Sequence, residues 1–258
     1  MAKDKLLITG ADSYIGQMLL SERALCDSFK WVELKRDMGK EEVCHNLSDA
    51  KYLLHLFETK SGSEEQLIAG NAGYTQQLIA LMEESTYTLP FIYVSSDYDD
   101  SEYGRSKLLS EQLIREYGQR QRIRNMIYRL PVLMGEQLYL DQENPLHDLC
   151  RQLILEEEAI VLPDREEHRF VDIKDVTGEI SRALNGRPFY ATVDLSICVI
   201  PSEHYAVWDR ILSILREIKE RGEDYPLLQY RKSSLEYKLY LTYHSLLNYY
   251  STRDIKSP

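Results

Sequence analysis

The sequence predicts an α/β fold, a doubly wound and mostly parallel sheet with a smaller C-terminal lobe. Three observations carry it. The apolar run Leu6-Leu7-Ile8-Thr9 ends in a glycine-bearing turn, Gly10-Ala11-Asp12-Ser13-Tyr14-Ile15-Gly16, and a helical pattern over 17–25 follows at once. Strand-like runs then alternate with helical stretches, the order that builds βαβ units. Finally, the apolar run from Phe91 ends in two hydroxyls, Ser95 and Ser96, just before another helical pattern.

Taken in order, the first turn has glycines at two of the three positions of a Rossmann-type fingerprint, Gly10 and Gly16, with Ser13 at the middle one. Helix N-terminal N–H groups and the positive end of the helix dipole would face a pyrophosphate there. Trp31 to Leu34 reads as the second strand, followed by Lys35-Arg36-Asp37. An acidic residue at this strand end binds the ribose 2′-hydroxyl of NAD, whereas arginine accommodates the 2′-phosphate of NADP, so Arg36 favours NADP(H) over NAD(H). A crossover over 41–50 and a strand over 52–57 come next. A long helix over 64–86 is interrupted near Gly70-Asn71-Ala72-Gly73. Asp99, Asp100 and Ser101 are N-cap candidates for a helix to about Tyr117, with Gly118 as its C-terminal stop. A strand at 125–130 follows, then helix at 145–157, strand at 169–173 and helix at 176–184. Residues 208–221 place Ile211, Leu212, Leu215 and Ile218 on one helical face, and the tyrosine- and leucine-rich stretch 234–250 reads as a packed helix. These segments read as one unit over 1–258, with 1–130 mainly the dinucleotide part and 131–258 mainly a substrate lobe.

Composition narrows the function. A formal net charge of −11 argues against a nucleic-acid surface. No run of about 18 apolar residues is present, which excludes a helical membrane span, and the N-terminus has no signal-peptide pattern. Cys26, Cys44, Cys150 and Cys198 are scattered and, like the histidines, lack metal spacing. Buried thiols in a reducing cytoplasm are expected.

The chemistry-bearing stretch is Ser95-Ser96-Asp97, followed by Tyr103-Gly104-Arg105-Ser106-Lys107. Tyr103 and Lys107 lie four apart on the expected helix and share a face. An ammonium beside a phenol favours the phenolate, which suits proton exchange with a carbonyl or hydroxyl. A serine at the neighbouring strand end can bond the same oxygen, at the sheet edge where open α/β folds bind ligands. Among 19 tyrosines, roughly one Tyr-x-x-x-Lys arises by chance, so the weight rests on this context.

The ordered set ITGADSYIG, the HL at 55–56, the asparagine of GNAGYTQQL (Asn71), YVSSDY, YGRSKLLSEQL, YRLPVLMGE and RFVDIKDVTGEISRAL resembles the extended short-chain dehydrogenase/reductases of the nucleotide-sugar epimerase and dehydratase family. Within it the chain is most similar to capsular polysaccharide reductases acting on UDP-linked 4-keto-6-deoxy amino sugars. The resemblance implies NADPH-dependent reduction of a 4-keto nucleotide sugar for surface polysaccharide. It makes Tyr103 the proton donor, Lys107 the residue that tunes it and holds the nicotinamide ribose, and Ser96 the partner of the carbonyl oxygen. Gly10, Ser13, Tyr14, Ile15 and Gly16 would cradle the pyrophosphate and Arg36 the 2′-phosphate. Asn144 and Arg169 are candidate substrate contacts, no metal is expected, and a homodimer is a family expectation. An epimerase with tightly bound cofactor, and a cofactor-weak binding homologue, are the alternatives.

Four positions depart from the family pattern. Phe57-Glu58 stands where the capsular enzymes have Ala-Gly, Ser13 replaces a glycine, and Tyr98 replaces the glutamate that dehydratases use. Dehydration is therefore not expected. A carboxylate at position 58 repels a pyrophosphate unless it turns away or pairs with a cation.

Overall fold

Leu6, Leu7 and Ile8 are buried because the strand that carries them, β1 (Asp4–Thr9), lies inside a parallel sheet with helices over its faces. The computed structural model describes residues 3–97, 101–186, 196–199 and 203–252. Two units divide the chain, one of Met1–Leu130 with Thr177–Ile200, the other of Pro131–Val176 with Pro201–Pro258.

In the first unit β1 leads into α1 (Tyr14–Ser21), α2 (Arg23–Ser28), β2 (Phe29–Glu33), α3 (Lys40–Leu47) and β3 (Ala50–His55). Then come α4 (Glu64–Ile68), a π-helical turn (Ala69–Gly73), α5 (Tyr74–Ser85), β4 (Phe91–Ser96), α6 (Glu102–Gln121) and β5 (Met126–Leu130). The second unit opens with β6 (Val132–Met134), α7 (Pro145–Ile154) and β7 (Glu167–Asp172). Helix α8 (Ile173–Asn185) and strand β8 (Ser196–Val199) return to the first unit, and β9 (His204–Val207), α9 (Trp208–Arg221) and α10 (Leu235–Ser251) complete the second.

The main sheet has the order β2-β1-β3-β4-β5-β8, with every neighbouring pair parallel. The chain winds outward from β1 to β2, then restarts on the other side with β3. This reversal places the carboxyl ends of β1 and β3 side by side, where open α/β sheets form their ligand crevice. Below it, Leu7, Leu53, Phe91, Tyr93 and Ile127 from four strands and the partner surface of Leu78, Met82, Ile114 and Tyr117 form one core. Each fully buried side chain of this size stabilises the fold by roughly 1.5–3 kcal/mol.

The second unit holds a three-stranded sheet, β6-β7-β9, in which β7 pairs parallel with β6 and antiparallel with β9. Trp208 packs its ring edge-on against Phe170, centroids 5.2 Å apart, and Ile211, Leu212, Leu215 and Ile218 bury the expected face of α9. Thr242 and Ser245 of α10 accept the backbone N–H groups of Gly135 and Gln137.

Several boundaries differ from expectation. Gly118 does not stop α6, which runs on to Gln121 and ends at Arg122 in the left-handed region. Gly118 serves close packing instead, since a Cβ there would lie 2.6 Å from the Asn125 amide nitrogen. The stretch 17–25 holds two short helices, broken at an extended Glu22, and α7 ends three residues before Glu157, at Ile154. Cys150 is buried, but Cys26 and Cys44 are half-buried, against the expectation of uniformly buried thiols. The side chain of Cys198, and residues Tyr98, Asp99 and Asp100, lie outside the described residues; Ser101 caps α6 by accepting the Gly104 N–H.

Candidate functional site

The first glycine turn is built for close backbone approach. Gly10 has φ +68°, a conformation side chains rarely adopt, and a Cβ there would lie 2.7 Å from the Phe57 nitrogen. Gly16 packs as tightly, against the Gly10 carbonyl oxygen. Ser13 is the N-cap of α1, its hydroxyl accepting the Gly16 N–H at 3.1 Å. The serine thus completes the helix start rather than leaving a gap in the motif. Tyr14 and Ile15, both buried, form the first turn behind it.

Across the crevice a buried hydrogen-bond chain joins β1, β3 and α5. The Thr75 hydroxyl donates to the Asn71 carbonyl, so it accepts from His55 Nε2 at 3.0 Å. The other ring nitrogen, Nδ1, then accepts from the Thr9 hydroxyl at 2.6 Å, and Thr9 Oγ1 in turn accepts the Phe57 N–H. Asn71 closes the chain by holding Thr59 through both its backbone N–H and its carbonyl, while its amide also donates to Ser106. Gly70 makes room, since a Cβ there would collide with the Thr59 side chain. The loop 57–59 is therefore clamped on both sides, and the π-helical turn aims Asn71 at it.

His55 is neutral in this network. Burial, with help from the nearby Lys107 ammonium and against the pull of Glu58, lowers its pKa from the ordinary 6.5 to about 3. A depressed histidine pKa means that the unfolded chain binds the proton more tightly. The stability that neutral His55 gives is whole above pH 6.5 and is lost as pH falls toward 3. Urea unfolding over this range should show a wild-type decline that His55→Asn flattens; parallel curves would refute a buried neutral His55.

Between the two clamps stands Glu58. Its Oε2 accepts from the Tyr103 phenol at 2.5 Å and pairs with Lys107 Nζ at 3.0 Å, and its Oε1 lies 3.3 Å from Lys60 Nζ. Burial alone would raise the Glu58 pKa, but Lys107, Lys60 and the Tyr103 hydrogen bond outweigh it and hold it at about 2. Lys107 is 1% exposed, with its ammonium 4.8 Å from the Tyr93 ring centre and 5.9 Å from that of Tyr103. Burial disfavours that charge, yet Tyr93 and Glu58 leave its pKa raised, so lysine and glutamate are both charged. Tyr103 and Lys107 thus lie together on α6, and the buried cation that Glu58 pairs with is Lys107.

The remaining residues are placed as follows. Ser96 ends β4 at the carboxyl edge of the sheet. Strand alternation puts Ser95 on the Tyr93 face, where it is buried and its hydroxyl has no partner among the described residues. Arg36 is exposed after β2, its guanidinium 5.8 Å from the Phe57 ring centre. In the second unit Asn144 caps α7, its Oδ1 accepting from Leu146 and His147 and its amide donating to the Leu133 carbonyl. Arg169 sits on β7 opposite Tyr205. Among the described residues no helix is long and apolar enough to cross a membrane, and no cluster has the makings of a metal site.

At the adenosine end the start of α1 and the exposed Arg36 offer a dinucleotide backbone donors and a cation. At the nicotinamide end Glu58 occupies both the Tyr103 phenol and the Lys107 ammonium.

Comparisons with known proteins give the following likenesses. A model of an NAD-binding family described as "Male sterility protein" matches residues 98–169. A UDP-2-acetamido-2,6-beta-L-arabino-hexul-4-ose reductase of Pseudomonas aeruginosa is 23% identical over 71% of this chain, which spans 50% of that protein's length. The capsular polysaccharide assembling protein CapF of Staphylococcus aureus is 26% identical, with a TM-score of 0.72 over 98% of this chain and 68% of its own. UDP-glucuronic acid 4-epimerase of Bacillus cereus, solved with NAD, shares the fold with a TM-score of 0.77 at 19% identity, over 98% of this chain and 100% of its own. The ordered motifs, the parallel sheet and the adjacent Tyr103 and Lys107, with these likenesses, make the chain similar to the extended short-chain dehydrogenase/reductases, the NAD-dependent epimerases and reductases.

Proposed function

We propose that the chain reduces the 4-keto group of a nucleotide-linked deoxy sugar, with UDP as the carrier, using NADPH, in surface polysaccharide synthesis. The observation that carries this reading is the pairing of Tyr103 with Lys107 on α6, beside the carboxyl edge of β4. The similar Pseudomonas protein is a reductase of a UDP-linked hexulose, which supports this substrate class. When bound, the dinucleotide supplies hydride to the carbonyl carbon. Tyr103 gives its phenolic proton to the oxygen as charge develops there, and Lys107 stabilises the phenolate left behind. Ser96 orients the same oxygen from the strand end. The start of α1 holds the pyrophosphate, and Arg36 the 2′-phosphate. Such an enzyme is cytoplasmic, where reduced dinucleotides and nucleotide sugars are held.

The test is NADPH oxidation in the presence of a UDP-linked 4-keto-6-deoxy amino sugar. Arg36→Ala should weaken NADPH binding by about tenfold, the weight of one good charge-assisted contact, and leave NADH binding unchanged. Equal losses for both dinucleotides would remove Arg36 from the 2′-phosphate. A second reading, a cofactor-weak homologue that binds nucleotide sugars without turning them over, is favoured by Glu58 standing on both catalytic groups. Keto-sugar reduction by the wild-type chain separates the two.

A further inference from the structure

We propose that Glu58 is a built-in gate on the dinucleotide site, an inference that rests on the dinucleotide reading above. In the free protein its carboxylate satisfies the phenol of Tyr103 and the ammonium of Lys107, the two groups that a nicotinamide ribose and a carbonyl oxygen would otherwise engage. Entry of the nicotinamide half is coupled to release of Glu58 Oε2 from both.

Three features make this a gate rather than an accident of side-chain placement. The loop that carries Glu58 is fixed from both sides, through Thr9 to the Phe57 N–H and through Asn71 to both backbone groups of Thr59. The backbone therefore keeps the carboxylate close to Lys107, and opening is a side-chain event. Lys60, 3.3 Å from Oε1, offers the carboxylate a second cation when it leaves Lys107. The side chain of Glu58 is 21% exposed whereas that of Lys107 is 2% exposed, so the carboxylate has a way toward solvent that the ammonium lacks. With Lys60 already on Oε1, the carboxylate stays paired when Oε2 leaves Lys107, so a ligand has a small two-state element to bias. Glu58 is a positioning residue on this account and takes no proton from the substrate. Its carboxylate is held at about 2, too acidic to serve as a proton donor near neutrality.

The consequence is a fixed tax on affinity. If the open arrangement is populated at one part in ten or less, the apparent dissociation constant for NADPH is raised by about tenfold or more. Calorimetric titration of NADPH into the wild-type chain, Glu58→Ala and Glu58→Gln tests it, with thermal unfolding to confirm that each variant folds. The expected result is at least about tenfold tighter NADPH binding by Glu58→Ala, with Glu58→Gln, which keeps the shape and loses the charge, intermediate. A merely structural role for Glu58 would loosen binding in both variants, so equal or weaker binding overturns the gate while leaving the dinucleotide reading intact. Should the wild-type chain and both folded variants all fail to bind NADPH at millimolar concentration, the dinucleotide reading and the gate fall together.

Discussion

Tyr103→Phe is expected to lower the turnover of keto-sugar reduction by about 10²- to 10⁴-fold, the range that a positioned general acid contributes. The loss should appear in kcat with the fold intact. The phenol is partly exposed and its hydroxyl bonds to Glu58, so removing it costs stability on the order of 1 kcal/mol. Neither of its titratable neighbours Glu58 and His55 replaces it as donor. Glu58 is too acidic, and His55 is neutral, buried and committed at both ring nitrogens. Steady-state kinetics beside a urea unfolding curve checks the prediction, and an unchanged kcat in a folded variant would assign the proton elsewhere.

Lys107→Met should destabilise the first unit by about 3 kcal/mol, the low end of the range for breaking a buried ion pair. Methionine fills nearly the same volume, so the change isolates the charge. Without the ammonium, Glu58 keeps a partner in Lys60 and some solvent access, which holds the cost at the low end. Paired with Glu58→Gln, the double variant should recover at least about 1 kcal/mol, because the carboxylate that lost its buried partner in the single change is gone. The comparison is made by urea unfolding of the two single variants and the double. Strict additivity would mean that Lys107 and Glu58 do not stabilise each other.

Much of the fold is legible in the sequence because its first half repeats a local grammar. Apolar strand, turn and amphipathic helix follow one another, and α9 shows its buried face in spacing alone. Strands β6, β8 and β9 were missed because they have only three or four residues and too little alternation to register. Tyr103 and Lys107 were legible since one helical turn relates them. That position 58 repels a pyrophosphate unless it turns away or pairs with a cation is legible, but which cation is not, because Lys107 is 49 residues away on α6. No spacing rule connects those positions; only the winding of the sheet does. Ser13 was a different case, since a serine three residues before Gly16 is an ordinary N-cap pattern. Asn71 was recognised as a motif residue, but its work, holding Thr59 by both backbone groups, is visible only in three dimensions.

On the proposed function, this chain spends a dinucleotide to reduce a keto sugar. The direct measurement mixes the wild-type protein with NADPH and a UDP-linked 4-keto-6-deoxy amino sugar, following nicotinamide absorbance and the mass of the sugar nucleotide together. The expected result is a sugar heavier by two hydrogens for each NADPH consumed. An unchanged sugar mass with no NADPH consumed, in the wild-type chain and in folded Glu58→Ala alike, would contradict it.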